Sequence, residues 1–432
     1  MHDRTPGATP RTQSLLAIAL AALLGLAACG GGGDDAQALR DKAGGGTTAG
    51  NPAPAPSPAP GAANPATISY RLTWIGPKPN STGVVLNAKG QVAGYYVGES
   101  ARGGFFYNGT ENILYASPSG DIPAPSDLNN AGQVVGHFAH EGGAQEAFSW
   151  TKAGGLVRIA PLSATVLGSN AHDVNELGQV VGTLETPSGP RGFLWSATTG
   201  LVTTIARDFP MLKATRINDA GLVAGVGLVG GVEKAVLVDS RTGATVFERS
   251  CSAAGPVVAE ISHLNEAGAF AGTLDAFDAR AFLGETRSGC TLHDVGSLIA
   301  GQPFSYVQAL NDQGQMLVST IDLTRAFFWS RAKGLVEIEA AKRFFLLMGS
   351  INEHGVAVGI ADRPDASRDE DVYALAWTAD GGAVDLNTRV PGAPAGLLLR
   401  SGRMINDSGQ ILVFAEGGER STVLLTPVTG TP

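Results

Sequence analysis

The chain has 432 residues, a formal charge of −9, 16% charged residues, 59 glycines and 3 cysteines. An acidic chain with no basic stripe interleaved with aromatics repels phosphate backbones, so no nucleic-acid partner is expected. From about Thr67 to Pro432 it is too long for one small domain, and a closed array of repeats, each touching only its neighbours, accommodates that length.

At the N-terminus His2, Arg4 and Arg11 precede an apolar run from Leu15 to Ala28 that stops at Leu26-Ala27-Ala28-Cys29. The run is short for a bilayer span of about 20 residues, and glycines follow it where a stop-transfer segment would carry basic residues. Leu-Ala-Ala-Cys resembles the lipobox of bacterial lipoproteins. The resemblance implies that residues 1–28 are a signal peptide, that Cys29 is lipidated, and that the lipid is the sole membrane attachment. The competing reading is a plain signal peptide with a chance cysteine. Gly30 after the cysteine implies export to the outer membrane or cell surface of a Gram-negative bacterium. Residues 29–66, with Gly31-Gly32-Gly33, Gly44-Gly45-Gly46 and a Pro-Ala stretch from Pro52 to Pro60, form a linker that cannot build a core. Loss of Arg4, Arg11 and Asp3 with the signal leaves the mature chain near −10.

The rest of the chain, residues 67–432, is built on eight copies of one segment. They are anchored on Asn87, Asn129, Asn175, Asn218, Asn265, Asn311, Asn352 and Asn406, each with glycine three residues later. An apolar residue precedes every anchor, so a strand ends there and Asn-x-x-Gly turns the chain. Short β-branched segments such as Gln133 to Gly136 follow, then segments such as Ala147-Phe148-Ser149-Trp150, then a strand after a glycine turn such as Gly155 to Ile159. Four antiparallel strands per unit, with no helical periodicity, predict an all-β fold: a closed β-propeller of four-stranded blades. The eighth unit lacks a last strand and Ile68 to Ile75 precedes the first unit without partners. Joining them completes a blade and hides two sheet edges, which argues against an open solenoid. Eight blades are expected, or seven if the weakest unit is misread.

The Asn-x-x-Gly-Gln-Val-Val-Gly and Ala-Phe-x-Trp segments resemble those of the HAF-repeat proteins, a family of predicted extracellular bacterial repeat proteins. The likeness covers Ile68 to Pro427 and implies an exported, propeller-like protein without an assigned activity. The histidine of the family name is replaced here by Glu146, Arg191, Arg280 and Arg325.

Few residues point to chemistry. Exported Cys251 and Cys290 are expected to form a disulfide, provided that the folded chain brings their Cα atoms within about 7 Å. The anchoring asparagines read as turn formers, and Trp150, Trp195, Trp329 and Trp377 as packing between blades. Two residues before the anchor, Asp127, Asp173, Arg216 and His263 place a polar cluster on the innermost strands beside the channel. It reads either as an ion-binding or acid-base set or, preferentially, as local pairing of strand ends. Val85, Ala309, Ser350 and Met404 hold the same place in the other repeats, so no symmetric ring of ligands is expected there. His137, His140 and Glu141 lack metal-ligand spacing and read as solvated, and the acidic loop from Asp362 to Asp371 lacks the pattern of a calcium loop. No nucleophile elbow, Walker segment or dinucleotide fingerprint is present, so no cofactor or metal is expected. The expected function is a monomeric, non-enzymatic platform for a protein or glycan. The alternatives are a hydrolase or lyase acting on an extracellular polymer through Asp127, Asp173 and His263, and a structural envelope protein.

Overall fold

The computed structural model describes residues 64–77, 80–98, 102–116, 120–251, 256–275, 279–286, 290–302, 304–340, 346–364, 371–418 and 420–428. The segments expected to be a signal peptide and a linker, with Cys29, fall almost wholly outside this set, as do residues 365–370 of the acidic loop.

Eight four-stranded antiparallel sheets are strung along the chain, each with its strands hydrogen-bonded in sequence order except the last. Blades 1 to 7 cover residues 81–115, 122–158, 168–202, 211–248, 258–294, 305–337 and 346–385. Blade 8 takes Leu398–Ile405, Ile411–Glu416 and Thr422–Pro427 from the C-terminal end, and its outer strand is Tyr70–Trp74 from the N-terminal end. That strand pairs antiparallel from Tyr70 opposite Pro427 to Trp74 opposite Val423, which closes the circle. The protein is therefore an eight-bladed β-propeller; the seven-bladed alternative does not hold.

Antiparallel alternation sorts the connections. Turns between first and second strands and between third and outer strands lie at one end of the ring, here the turn end. Turns between second and third strands, together with the blade-to-blade crossings, lie at the other, the crossing end.

The first strand of every blade carries a β-bulge just before its anchor, between Pro125 and Asp127 in blade 2 for example, and between Ala171 and Asp173 in blade 3. The same irregularity recurs in the other six. An extra residue increases local twist, and here it sits beside the channel. It also explains most of the signature glycines in the second strand: a Cβ on Gly136 or Gly182 would lie 2.1 Å from the carbonyl oxygen of Ala124 or Asn170.

Aromatics pack across blade boundaries. Trp150, Trp195, Trp329 and Trp377 are 3–8% exposed. Phe106 of blade 1 meets Trp150 of blade 2 at 5.4 Å between ring centroids, and Phe328 of blade 6 meets Trp377 of blade 7 at 5.5 Å. In three blades a charged side chain of the third strand pairs with the outer strand of the same blade, Glu146 with Arg158, Arg280 with Asp294 and Arg325 with Glu337, while Arg191 donates to the Pro190 carbonyl. Cys251 and Cys290 are joined in a disulfide with their Cα atoms 5.1 Å apart. The crossing that carries Cys251 is pinched at its base by the Val258 N–H donating to the Arg249 carbonyl, and the bridge fixes it to the blade 5 turn that precedes Thr291.

Candidate functional site

The anchoring asparagines do more than turn the chain. Within each turn the amide oxygen accepts the N–H of the residue four places on, as from Leu222 to Asn218 at 3.0 Å, and the glycine adopts a φ of 70–81°. The amide nitrogen then reaches the next blade. Asn87 donates to the carbonyl of Asn129, Asn129 to Asn175, Asn175 to Asn218, and Asn218 to Asn265. Asn265 donates to Asn311, Asn311 to Asn352, Asn352 to Asn406, and Asn406 back to Asn87, all at 2.8–3.2 Å. Eight hydrogen bonds form a closed circle around the channel. The glutamine of the signature takes the second amide hydrogen in five blades, for example Gln91 at 2.7 Å and Gln179 at 2.9 Å.

A second ring, not anticipated from the sequence, lies one residue beyond the anchors. Glu176, Asp219, Glu266, Asp312, Glu353 and Asp407 each accept the backbone N–H of the corresponding residue in the preceding blade, at 2.7–3.0 Å. Asn130 does the same for Ala88, and Ala88 itself, without an acceptor, leaves the ring open between blades 8 and 1. Six carboxylates thus surround the channel mouth at the turn end. All of them but Asp219 line a vestibule open to solvent, whose wall also includes Asp127, Asp173, Leu264, Ile351 and Met404. Among the described residues no group of three or more His, Cys, Asp or Glu converges as a metal site.

Crowding and burial set the electrostatics. Burial raises Glu266 and Glu353 to about 7, with neighbouring ring carboxylates adding to the effect, and it raises Asp312 in the same way. Asp127 is held well above the ordinary carboxylate range by burial and by the neighbouring Asp173 carboxylate. Asp127 also accepts the N–H of Val174 and Asp173 that of Ile217, each from the following blade.

The four residues two places before the anchor separate into two sets. Asp127 and Asp173 form the pair on the vestibule wall. Arg216 and His263 are not part of that wall. Burial followed by the charge of Arg216 lowers His263 to about 3, and the same two causes lead in lowering His172 to about 4. Burial and Arg216 thus keep His263 neutral, against the opposing effect of its hydrogen bond to the Gln308 backbone, and the Ser262 hydroxyl lies 2.8 Å from its Nδ1. Of the residues considered as an acid-base set, Asp127 and Asp173 lie on the vestibule wall, whereas His263 is two blades from Asp173.

The loop histidines also differ from expectation. His140 bridges Asp121 at 2.8 Å and Glu146 at 3.1 Å, because its turn folds back over the third strand. His137 lies half-buried against Gln145, whose amide nitrogen is 3.1 Å from its Nε2.

These shifts give stability a definite pH dependence. Glu266 and Glu353 bind protons more tightly folded than unfolded, so their contribution is complete below the unfolded value of 4.5 and is lost as pH rises through 7. His172 and His263 act oppositely: their contribution is complete above 6.5 and is lost as pH falls toward 4 and 3. Between about pH 6.5 and 8 the raised carboxyls, the ring pair and Asp127, act in one direction, and thermal stability should fall as pH rises. Glu266→Gln with Glu353→Gln keeps the acceptor oxygens and should flatten that slope, adding about 1–2 kcal/mol at pH 8 once solvent screening is discounted. Parallel melting curves of the double variant and the parent across this range would disprove the assignment.

No family model matches the chain, and no curated protein matches it. Solved structures similar to it in fold include a puromycin-hydrolyzing peptidase from Mycobacterium tuberculosis, with 13% identity and a TM-score of 0.42 over 80% of this chain and 57% of that one. The β-propeller domain of Cps50 (Swd1) from Myceliophteria thermophila has 16% identity and a TM-score of 0.38 over 73% and 98%. An oligogalacturonate lyase from Vibrio parahaemolyticus has 9% identity and a TM-score of 0.41 over 81% and 98%. The chain spans 57% of the peptidase's length. These likenesses concern the propeller fold alone.

Proposed function

We propose that the protein is an exported platform of the HAF-repeat type, lipidated at Cys29, that docks a partner protein on the crossing end of the ring. The observation that carries this reading is where exposed apolar side chains collect. Leu298, Phe304 and Ile321 are 56%, 38% and 59% exposed, and the Ile321 N–H donates to the Phe304 carbonyl, so two of them share one patch over blades 5 and 6. Leu167, Val257 and Leu398 are also exposed at this end. The turn end shows Leu177 from an anchor turn.

Connection length supports the same assignment. Turns after the first strand are one repeated geometry, whereas connections at the crossing end range from Gly230-Gly231 to residues 386–397. Rigid blades with variable loops at one end are a common arrangement for recognition. A protein fits this surface better than a glycan, because the four repeated tryptophans, the best sugar-stacking side chains, are buried between blades. The linker of residues 29–66 would hold this end away from the membrane.

Phe304→Asp combined with Ile321→Asp should lower crosslinked capture of the partner from intact cells at least about tenfold at unchanged abundance. Undiminished capture by the double variant would refute the docking surface.

A further inference from the structure

The inner strand of blade 4 carries a buried guanidinium that forms no ion pair among the described residues. Arg216 is 6% exposed. Its one hydrogen bond is from Nη1 to the carbonyl of Thr215 at 2.6 Å, and among the described residues no carboxylate pairs with it. A buried guanidinium without a counter-charge costs several kcal/mol, so such groups are ordinarily paired. The groups around it offer no compensation. His172 and His263 are neutral imidazoles, and Lys213, one turn of the pleat further toward the crossing end on the same strand, is a second cation. Gln308, whose backbone holds His263, is 4% exposed and has a side-chain amide nitrogen with no acceptor. Asp173 accepts the N–H of Ile217, next to Arg216 in the chain, but forms no ion pair with the guanidinium, and the ring carboxylates receive backbone N–H groups.

We propose that the channel at Arg216, with Lys213 on the same strand, binds one small oxyanion group, carboxylate or phosphate in type. The planar guanidinium matches both geometries through paired N–H donors. Entry is from the crossing end, past exposed Lys213, since six carboxylates guard the other mouth. The site is separate from the apolar docking patch and stands whether or not a protein partner exists.

The test is equilibrium titration of the folded chain with acetate, inorganic phosphate and sulfate in turn, at ionic strength matched with chloride. Direct binding is measured because sulfate and phosphate raise the stability of most proteins without a site. One equivalent should bind from at least one probe; acetate binding alone would mark a carboxylate ligand, phosphate or sulfate alone a tetrahedral one. Arg216→Gln should weaken binding at least tenfold. Lys213→Gln, on an exposed side chain that leaves the fold untouched, should weaken it roughly threefold and so protects the test if Arg216→Gln unfolds. Absence of binding by all three probes overturns the proposal. So does equal binding by the parent and Lys213→Gln together with a folded Arg216→Gln, which would mean an adventitious ion only.

Discussion

Asn218→Asp should destabilise the propeller by roughly 3–5 kcal/mol at neutral pH, although it changes one atom of the side chain. Asn218 is 1% exposed. Its amide oxygen accepts Leu222 N–H at 3.0 Å, and aspartate would keep that bond. Its amide nitrogen donates to the Asn265 carbonyl at 3.0 Å, and there the variant sets a buried carboxylate against a carbonyl oxygen. A turn former alone would tolerate the change, since aspartate makes the same turn with little penalty. The two roles thus differ in outcome, and denaturant unfolding separates them. A midpoint within error of the parent would mean that the circle of eight amides contributes nothing. Partial recovery near pH 4, where the new carboxyl can take a proton and donate, would identify the lost donor as the cause.

The contrast at Asn218 also shows where sequence reasoning reached and where it stopped. The eight units, their four strands and the closing strand at Tyr70–Trp74 were legible because each depends on a local pattern: apolar residue, Asn-x-x-Gly, β-branched run. The blade-to-blade bonds were not, because the turn already accounts for the asparagine and its second partner lies 41 to 54 residues away, or 319 for the closing bond from Asn406 to Asn87. The acidic ring could have been found. Aligning the residue after each anchor gives Ala88, Asn130, Glu176, Asp219, Glu266, Asp312, Glu353 and Asp407, a column more regular than the one two places before the anchor that drew attention. In that earlier column, spacing alone could not separate Asp127 and Asp173 on the vestibule wall from Arg216 and His263 deeper in the channel. Bulges occur in all eight first strands, and the direction of a side chain beside a bulge is not set by simple alternation.

Closure should matter more than any single side chain. A chain beginning at Gly76 lacks the outer strand of blade 8, whereas one beginning at Thr67 retains it. The strand contributes Tyr70, 2% exposed, and is followed by Ile75, fully buried; Leu72 and Trp74 pack half-buried against blades 7 and 8. At about 1.5–3 kcal/mol for each fully buried side chain, and less for the others, the loss approaches 5 kcal/mol or more. That is comparable with the whole stability of many folded domains. Deletion also strips the Thr422–Pro427 strand of its partner and leaves an open edge for self-association. The shorter chain should therefore lose cooperative unfolding and sediment as oligomers. If the missing strand is the sole defect, a synthetic peptide of residues 67–76 supplied in trans should restore both the monomer and the cooperative transition, by adding back one strand with its register from Tyr70–Pro427 to Trp74–Val423. A monomeric, cooperatively folding chain without the peptide would show that the remaining contacts close the ring unaided, and that the shared blade is dispensable.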